Sequence, residues 1–232
     1  MVLGNGMIAS ALKKVDRPDV LFAASGLSNL KGADPVERLR ERNLLKEQLA
    51  QHPDKIFVYI SSYSIDDQSS ENNTPYLAHK VQMEELVKGL ANRFLICRTS
   101  NVVGNSKQPG NLMNFICEHL KTGAFFDIWT NTSRNLIDVS DLAEMAAAAI
   151  DMGHVNETLY LIHPSDIAIY DIVRHFETFS AIAGHYRLVE KGVYYRADKT
   201  LSKALFDRLG FEKDADLYTR KLIGKYFASR FS

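Results

Sequence analysis

Met1-Val2-Leu3-Gly4-Asn5-Gly6-Met7-Ile8-Ala9 sets an apolar stub against a glycine turn and the start of a helical run that reaches about Lys14. Strand, Gly-x-Gly-x-x-Ala and helix in that order form a dinucleotide-binding fingerprint. The glycines let backbone approach a pyrophosphate, and the helix N-terminus favours its negative charge. A glycine-rich turn alone is commonly only a turn, so the rest of the chain must decide. It continues with an apolar strand at 19–24, a charged amphipathic helix at 35–51, an apolar strand at 55–61, a polar loop at 66–74, a Thr74-capped helix to about Gly89 and a strand at 93–98. Further on, the pattern predicts helices at 111–122, 140–152, 167–179, 199–209 and 218–227, with strands at 135–139 and 159–163. Strands alternating with helices predict an α/β fold, a Rossmann-like doubly wound parallel sheet covered on both faces.

The 232 residues are enough for one domain with a small annex, and 46% hydrophobic with 24% charged residues is ordinary for a globular chain. A formal net charge of +0 offers no basic field for nucleic acid or an anionic membrane, so neither is expected as a partner. Cys97 and Cys117 lie in apolar surroundings without His or Cys at metal-ligand spacing, which predicts reduced buried thiols, no metal site and a cytoplasmic setting. The first residues lack the basic-then-apolar order of a signal peptide.

The chemistry concentrates at Tyr76 and Lys80. Thr74 can cap free amides and Pro75 fits the first helical turn, so the pair sits at i and i+4 on one helix face. An ammonium beside a phenol favours the phenolate and makes a proton-transfer pair. Tyr-x-x-x-Lys is a weak signal alone, and Tyr195 with Lys199 repeats it without cap or preceding strand, which reads as chance. A solvated helix face is the bland alternative for Tyr76 and Lys80. His79, inside the same turn, is expected to face outward or toward a neighbouring helix.

Together these segments resemble the extended short-chain dehydrogenases that act on nucleotide sugars, the epimerase/dehydratase/reductase family, in a shortened form. Ala23-Ala24 matches the strand end lining the cofactor, and Tyr59-Ile60-Ser61-Ser62 matches the catalytic serine/threonine strand, with Ser62 at the active position. Tyr76-x-x-x-Lys80 follows in order. Arg98-Thr99-Ser100-Asn101-Val102-Val103-Gly104 is similar to Arg-x-x-Asn-Val-Tyr-Gly, with Val103 in place of tyrosine. Arg134-Asn135-Leu136-Ile137-Asp138-Val139-Ser140-Asp141-Leu142-Ala143 is similar to Arg-x-x-Ile-His-Val-x-Asp-x-Ala, and residues 199–211 resemble a helix ending in Leu-Gly-Phe.

The resemblance implies catalysis by Ser62, Tyr76 and Lys80, with NAD or NADP as cofactor. Tyr76 would move a proton at a sugar oxygen as hydride moves to or from the nicotinamide, Lys80 would support the phenol and bond the nicotinamide ribose, and Ser62 would hold the reacting oxygen. Gly4, Asn5, Gly6, Met7, Ile8, Ala23, Ala24, Tyr76, Lys80, Thr99 and Ser100 would bind the cofactor. Ser25, Ser64, Asn101 and Arg134 would bind a nucleoside-diphosphate sugar. For Arg134 a salt bridge with Asp138 is the plain alternative, and Asn101 could equally cap the turn at Gly104. Residues 1–101 with 135–163 would form the dinucleotide-binding core, and 102–134 with 164–232 a smaller substrate-binding region.

Departures refine these expectations. The family carries two more strands and a helix where only Val15-Asp16-Arg17-Pro18 stand, so strands 2 and 3 of its sheet are missing, the first strand becomes an edge and the adenosine side of the site opens. Tyr63 and Ser64 replace the dehydratase acid pair, which leaves 4-ketoreduction, favoured, or epimerisation in deoxysugar or surface-polysaccharide precursor synthesis. A degenerate, non-catalytic relative that binds a nucleotide or partner protein is the alternative. Homodimerisation is expected through the helix carrying Tyr76 and the helix before the serine strand, with Val81, Leu86, Val87 and Leu90 serving the sheet, the partner or both.

Overall fold

A computed structural model describes residues 1–27, 32–66, 74–106, 110–192 and 197–231. Most of the expected 66–74 loop and Tyr195 of the second Tyr–Lys pair lie outside the described residues. In chain order the first unit begins with β1 (Val2–Leu3), α1 (Met7–Leu12), β2 (Val20–Ala23), α2 (Pro35–Gln51), β3 (Ile56–Ser62), α3 (Pro75–Leu90) and β4 (Phe94–Thr99). A second unit follows with β5 (Asn101–Val103), α4 (Leu112–Thr122), β6 (Phe126–Trp129), β7 (Ser133–Arg134) and β8 (Leu136–Asp138). α5 (Val139–Asp151) and β9 (Glu157–Leu161) return to the first unit, and β10 (Ile167–Ala168), α6 (Ile169–Ser180), β11 (Tyr186–Val189), α7 (Thr200–Leu209) and α8 (Ala215–Phe231) complete the second.

The fold is α/β with a parallel central sheet. Its strand order is β1-β2-β3-β4-β9, with every pairing parallel. β1 is therefore an edge strand, and it spans only two residues. β2 and β3 read as unbroken apolar runs because a parallel sheet is covered on both faces, and all of β2 is buried. Side chains alternate across it. Leu21, Ala23, Phe57, Tyr59 and Ile96 point to one face, where Leu45 and Leu49 of α2 and Met83 and Val87 of α3 complete a cluster. α1 packs with α5, whose Leu142, Met145, Ala146 and Ala149 are fully buried. The caps are local sequence effects: Asp34 accepts from the amides of Val36 and Glu37 ahead of Pro35, and Thr74 accepts from Leu77 ahead of Pro75.

Among the described residues, the second unit carries three two-stranded pairings. β5 with β8 and β6 with β11 are parallel, and β7 with β10 is antiparallel. The short strands β5, β6, β7, β10 and β11 carry too few residues for a pattern and were not anticipated. Residues 135–138 group here and not with the first unit, because β8 pairs with β5. α8 starts at Ala215 and runs to Phe231, longer than 218–227, since Phe227 is buried on Phe176. α1 stops at Leu12 and a short 3-10 turn covers Lys13–Val15.

Gly4 sits at φ +113°, and a Cβ there would lie 2.6 Å from the Ala24 carbonyl oxygen, so the β1–α1 turn lies directly on the end of β2. A Cβ at Gly6 would meet nothing within 4 Å. Gly4→Ala is expected to destabilise the protein by at least about 2 kcal/mol, while Gly6→Ala costs under about 1 kcal/mol. Urea denaturation of the two variants measures the difference, and equal midpoints would contradict the close approach.

Candidate active site

The first unit holds Ser62, Tyr76 and Lys80. Ser62 ends β3, half-exposed, and its Oγ accepts from the Ser64 amide at 3.2 Å. Ser61, one residue earlier, points to the opposite face and donates to Glu84 Oε1 at 2.5 Å. Glu84 in turn receives Arg98 through Nε at 3.0 Å and Nη2 at 2.8 Å, while Arg98 Nη1 bridges to Asp66. Ser61 thus belongs to a structural network, and the carboxylates of Glu84 and Asp66 raise the Arg98 guanidinium above its usual value.

Tyr76 is half-buried in the first turn of α3. The Lys80 ammonium lies 6.0 Å from its ring centroid. Lys80 itself is only 3% exposed. Its Nζ donates to Tyr59 Oη at 2.9 Å, to Glu41 Oε1 at 3.3 Å and to the Ile60 carbonyl at 3.5 Å. Three acceptors face three N–H bonds.

Glu41 of α2 is the centre of this cluster. Its Oε1 also accepts from Tyr59 Oη at 2.8 Å, and its Oε2 accepts from the Leu27 amide at 2.9 Å and faces His79 Nε2 at 3.1 Å. Burial alone would push the carboxyl up. The His79 hydrogen bond, the Lys80 charge, the Leu27 amide and the Tyr59 hydroxyl together outweigh burial and hold it down at about 2. Tyr59 is raised well above the ordinary phenol by burial and then by Glu41. A Cβ at Gly26 would lie 2.7 Å from Lys80 Nζ and 2.8 Å from Glu41 Oε1, so the strand-to-helix connection comes this close only because residue 26 has no side chain.

The residues expected at the cofactor gather at the carboxyl ends of β1, β2 and β4. Asn5 and Gly6 are exposed, Met7 and Ile8 half-buried, and Gly6 caps α1 through its backbone with no side-chain bond. Ala23 is buried, and Ala24 follows it at the Gly4 approach. Ser25 Oγ and Thr99 Oγ1 are buried with no hydrogen-bond partner among the described residues. Such orphaned hydroxyls at the ends of parallel strands, beside a glycine turn, fit a polar ligand such as a dinucleotide. Ser100 has its own interaction within the chain.

Asn101 and Arg134 belong to the second unit. Asn101 does not cap a turn at Gly104: its Nδ2 donates to the Asn135 carbonyl at 3.0 Å, and its amide does so at 3.2 Å, which ties β5 to β8. Arg134 Nη1 donates to Thr132 Oγ1 at 2.5 Å and to the Ser133 carbonyl at 2.8 Å. Asp138 accepts from Lys225 at 2.7 Å and Tyr226 at 2.9 Å. Arg134 lines a cavity of about 190 Å³ with Leu112, Phe115, Ile116, Phe126, Trp129, Ile169 and Asp127.

The sequence reading gave Glu41 no role and Tyr59 only a place in the serine strand, and of its two expectations for His79 the one toward a neighbouring helix holds, since His79 faces Glu41 of α2. A signal existed: Glu41, Leu45 and Leu49 form the buried i, i+4, i+8 stripe of α2, so the acid occupies a core position.

Residues 6–162 match the model of the NAD dependent epimerase/dehydratase family. The chain belongs to that family. A search of curated proteins by sequence gives no match. Among solved structures the chain is similar to RMD from Pseudomonas aeruginosa complexed with NADPH, at 16% identity and TM-score 0.71, covering 92% of this chain and 82% of that one. It is similar to UDP-glucuronic acid 4-epimerase from Bacillus cereus in complex with UDP-glucuronic acid and NAD, at 16% identity and TM-score 0.70, covering 95% and 78%. dTDP-glucose 4,6-dehydratase from Bacillus anthracis in complex with NAD gives 14% and 0.67, covering 95% and 76%. At these identities the likeness is one of fold: the extended short-chain dehydrogenase architecture, here with β1 as the sheet edge.

Because the Glu41 carboxyl lies below its ordinary 4.5 in the folded protein, its contribution is complete above 4.5 and is lost as pH falls toward 2. That contribution is on the order of 3 kcal/mol. Urea denaturation of wild type and Glu41→Gln between pH 6 and pH 3 (roughly the range this linkage spans) is expected to show their difference shrinking in acid. A constant difference would contradict this.

Proposed function

We propose that the chain is an NAD(P)-dependent oxidoreductase or epimerase acting on a nucleoside-diphosphate sugar, with 4-ketoreduction favoured, in deoxysugar or surface-polysaccharide precursor synthesis. The observation that carries this reading is the presence, in one unit, of the Tyr76 ring with the Lys80 ammonium at 6.0 Å and of two buried hydroxyls, Ser25 and Thr99, that have no partner among the described residues. Family membership and neighbours complexed with NAD or NADPH support it. A cytoplasmic setting, expected from composition, is part of the proposal.

A bound nicotinamide dinucleotide would supply or accept the hydride. Gly4 to Ile8, Ala23, Ala24, Thr99 and Ser100 would hold it, with the Gly4 turn giving backbone room for a pyrophosphate. Tyr76 passes a proton to or from the sugar oxygen, and Ser62 orients that oxygen. Lys80, whose N–H bonds go to protein acceptors, acts on Tyr76 through its charge. Ser25 and Ser64 face the sugar, and in the second unit Arg134 is assigned to the diphosphate, where a guanidinium suits an anionic oxygen pair, with Asn101 beside it in role.

With NADPH and a 4-keto deoxysugar nucleotide, Tyr76→Phe is expected to lower kcat by about a hundredfold, a typical share for a general acid. Arg134→Ala is expected to raise KM about tenfold with a smaller change in kcat. Unchanged turnover in Tyr76→Phe removes the site assignment. A second reading, a non-catalytic nucleotide or partner sensor, is favoured by the engagement of all three Lys80 N–H bonds within the protein. Absence of heat on titration with both NAD and NADP would select it.

Homodimerisation is part of the proposal. On α3, Val87 and Leu86 serve the sheet, while Val81 and Leu90 stay exposed, as do Val36 and Leu39 of α2. These four side chains give α2 and α3 apolar surface for a second copy. Sedimentation is expected to show a dimer at micromolar concentration and a monomer for Leu39→Asp. A wild-type monomer removes this part.

A further inference from the structure

The family reading accounts for Lys80 and Tyr76 but gives no role to the acid beneath them. We propose that Glu41 is a positioning residue of the active site: its carboxylate fixes the Lys80 ammonium under Tyr76, with Tyr59 as the bridging hydroxyl. The inference rests on the assignment of Tyr76 and Lys80 to proton transfer.

Glu41 is 0% exposed and Lys80 3% exposed, so neither charge has water to turn to. A buried ammonium without a counter-charge favours its neutral form. Glu41 Oε1 supplies that charge at 3.3 Å. Direction comes from Tyr59, whose Oη donates to Glu41 at 2.8 Å and accepts from Lys80 at 2.9 Å, closing a three-membered ring of bonds. Lys80 Nζ also sits 4.8 Å from the Tyr59 ring centroid, against 6.0 Å for Tyr76. The ammonium that Glu41 pairs with thus stands over the Tyr76 ring at 6.0 Å, within reach of its charge.

The other oxygen of Glu41 is held as firmly. His79 Nε2 at 3.1 Å and the Leu27 amide at 2.9 Å fix its rotation, so the carboxylate is a fixed support tied to three separate parts of the chain. A purely structural ion pair is commonly replaceable by apolar residues. One that sets the place and charge of a proton-transfer partner is not.

The test uses Glu41→Gln and Tyr59→Phe, with retained fold checked by circular dichroism. Tyr59→Phe keeps the ring and removes only the bridging oxygen, so it serves if Glu41→Gln does not fold. Purified full-length protein is treated with limiting acetic anhydride at about pH 8, well below the ordinary lysine value, so that only a released or uncharged amine reacts readily. Labelling of Lys80 is read by mass spectrometry against Lys88 in the same sample. Lys80 is expected to react at least about tenfold faster in either variant than in wild type, with kcat reduced by about tenfold or more and KM for the nucleotide sugar within about twofold. Equal labelling of Lys80 in wild type and variants overturns the proposal. Faster labelling with unchanged kcat also overturns it, because Glu41 would then serve the fold alone. Wild-type protein that turns over no nucleotide sugar overturns the reaction assigned to the site, while the labelling comparison still decides whether Glu41 holds Lys80.

Discussion

A carboxylate shut away from water must find protein donors for its lone pairs, and Glu41 finds four of them. Those donors come from the connection after β2, from β3 and from two successive residues of α3, while the acid itself sits on α2. The rest of this face of the sheet is an apolar cluster, which includes Leu21, Phe57, Met83, Val87 and Ile96, and a second polar network of Ser61, Glu84 and Arg98. Apolar packing alone would let α2 and α3 settle in several registers at similar cost. Buried directional bonds at Glu41 and at Glu84 remove that freedom, and the set at Glu41 also decides where the Lys80 ammonium stands.

The trimmed sheet limits what the first unit can do at one side only. In the strand order β1-β2-β3-β4-β9, the missing strands of the longer relatives would lie beyond β1. Ser62 and Tyr76 come from the end of β3 and the start of α3, two strands inward, and Thr99 from β4, further in still. On the reading implied by the family resemblance, the absent outer strands would carry the stretch that meets an adenosine ribose, while the proposed reacting residues lie inward of that edge. The edge that remains is two residues long, short enough to offer little to another chain.

Most of the sheet was legible because its physics is local. Apolar runs of strand length, Asp34-Pro35 and Thr74-Pro75 caps, and the glycine turn each fix their own segment. The order of motifs fixed the family. The second unit was harder to read: β5, β7 and β10 have two or three residues each, below the length at which alternation can be counted, and they exist only because a partner strand is there, while β8 was read because it leads into the Ala-rich helix. Arg134 was found by motif, but its neighbours Phe126 and Trp129 were not, since nothing in a four-residue run tells a cavity wall from a core strand.

Lys80 shows what a motif hides. Tyr-x-x-x-Lys places a phenol and an amine on one helix face and leaves open where the amine's hydrogens go. In an open groove they would go to a ligand, and here they go to Glu41, Tyr59 and the Ile60 carbonyl. The acid that makes the difference lies 39 residues away from Lys80 along the chain, in a helix rich in Arg, Lys and Glu where one more glutamate carries no local mark. Its mark is positional: four and eight residues before two buried leucines, in a place where an unpaired charge would be costly. An acid at a core position demands a cation, and on the facing helix that cation is Lys80, the lysine of the proposed proton-transfer pair. On the proposed reading, the fold's need to satisfy Glu41 and the site's need to fix Lys80 are thus met by one interaction.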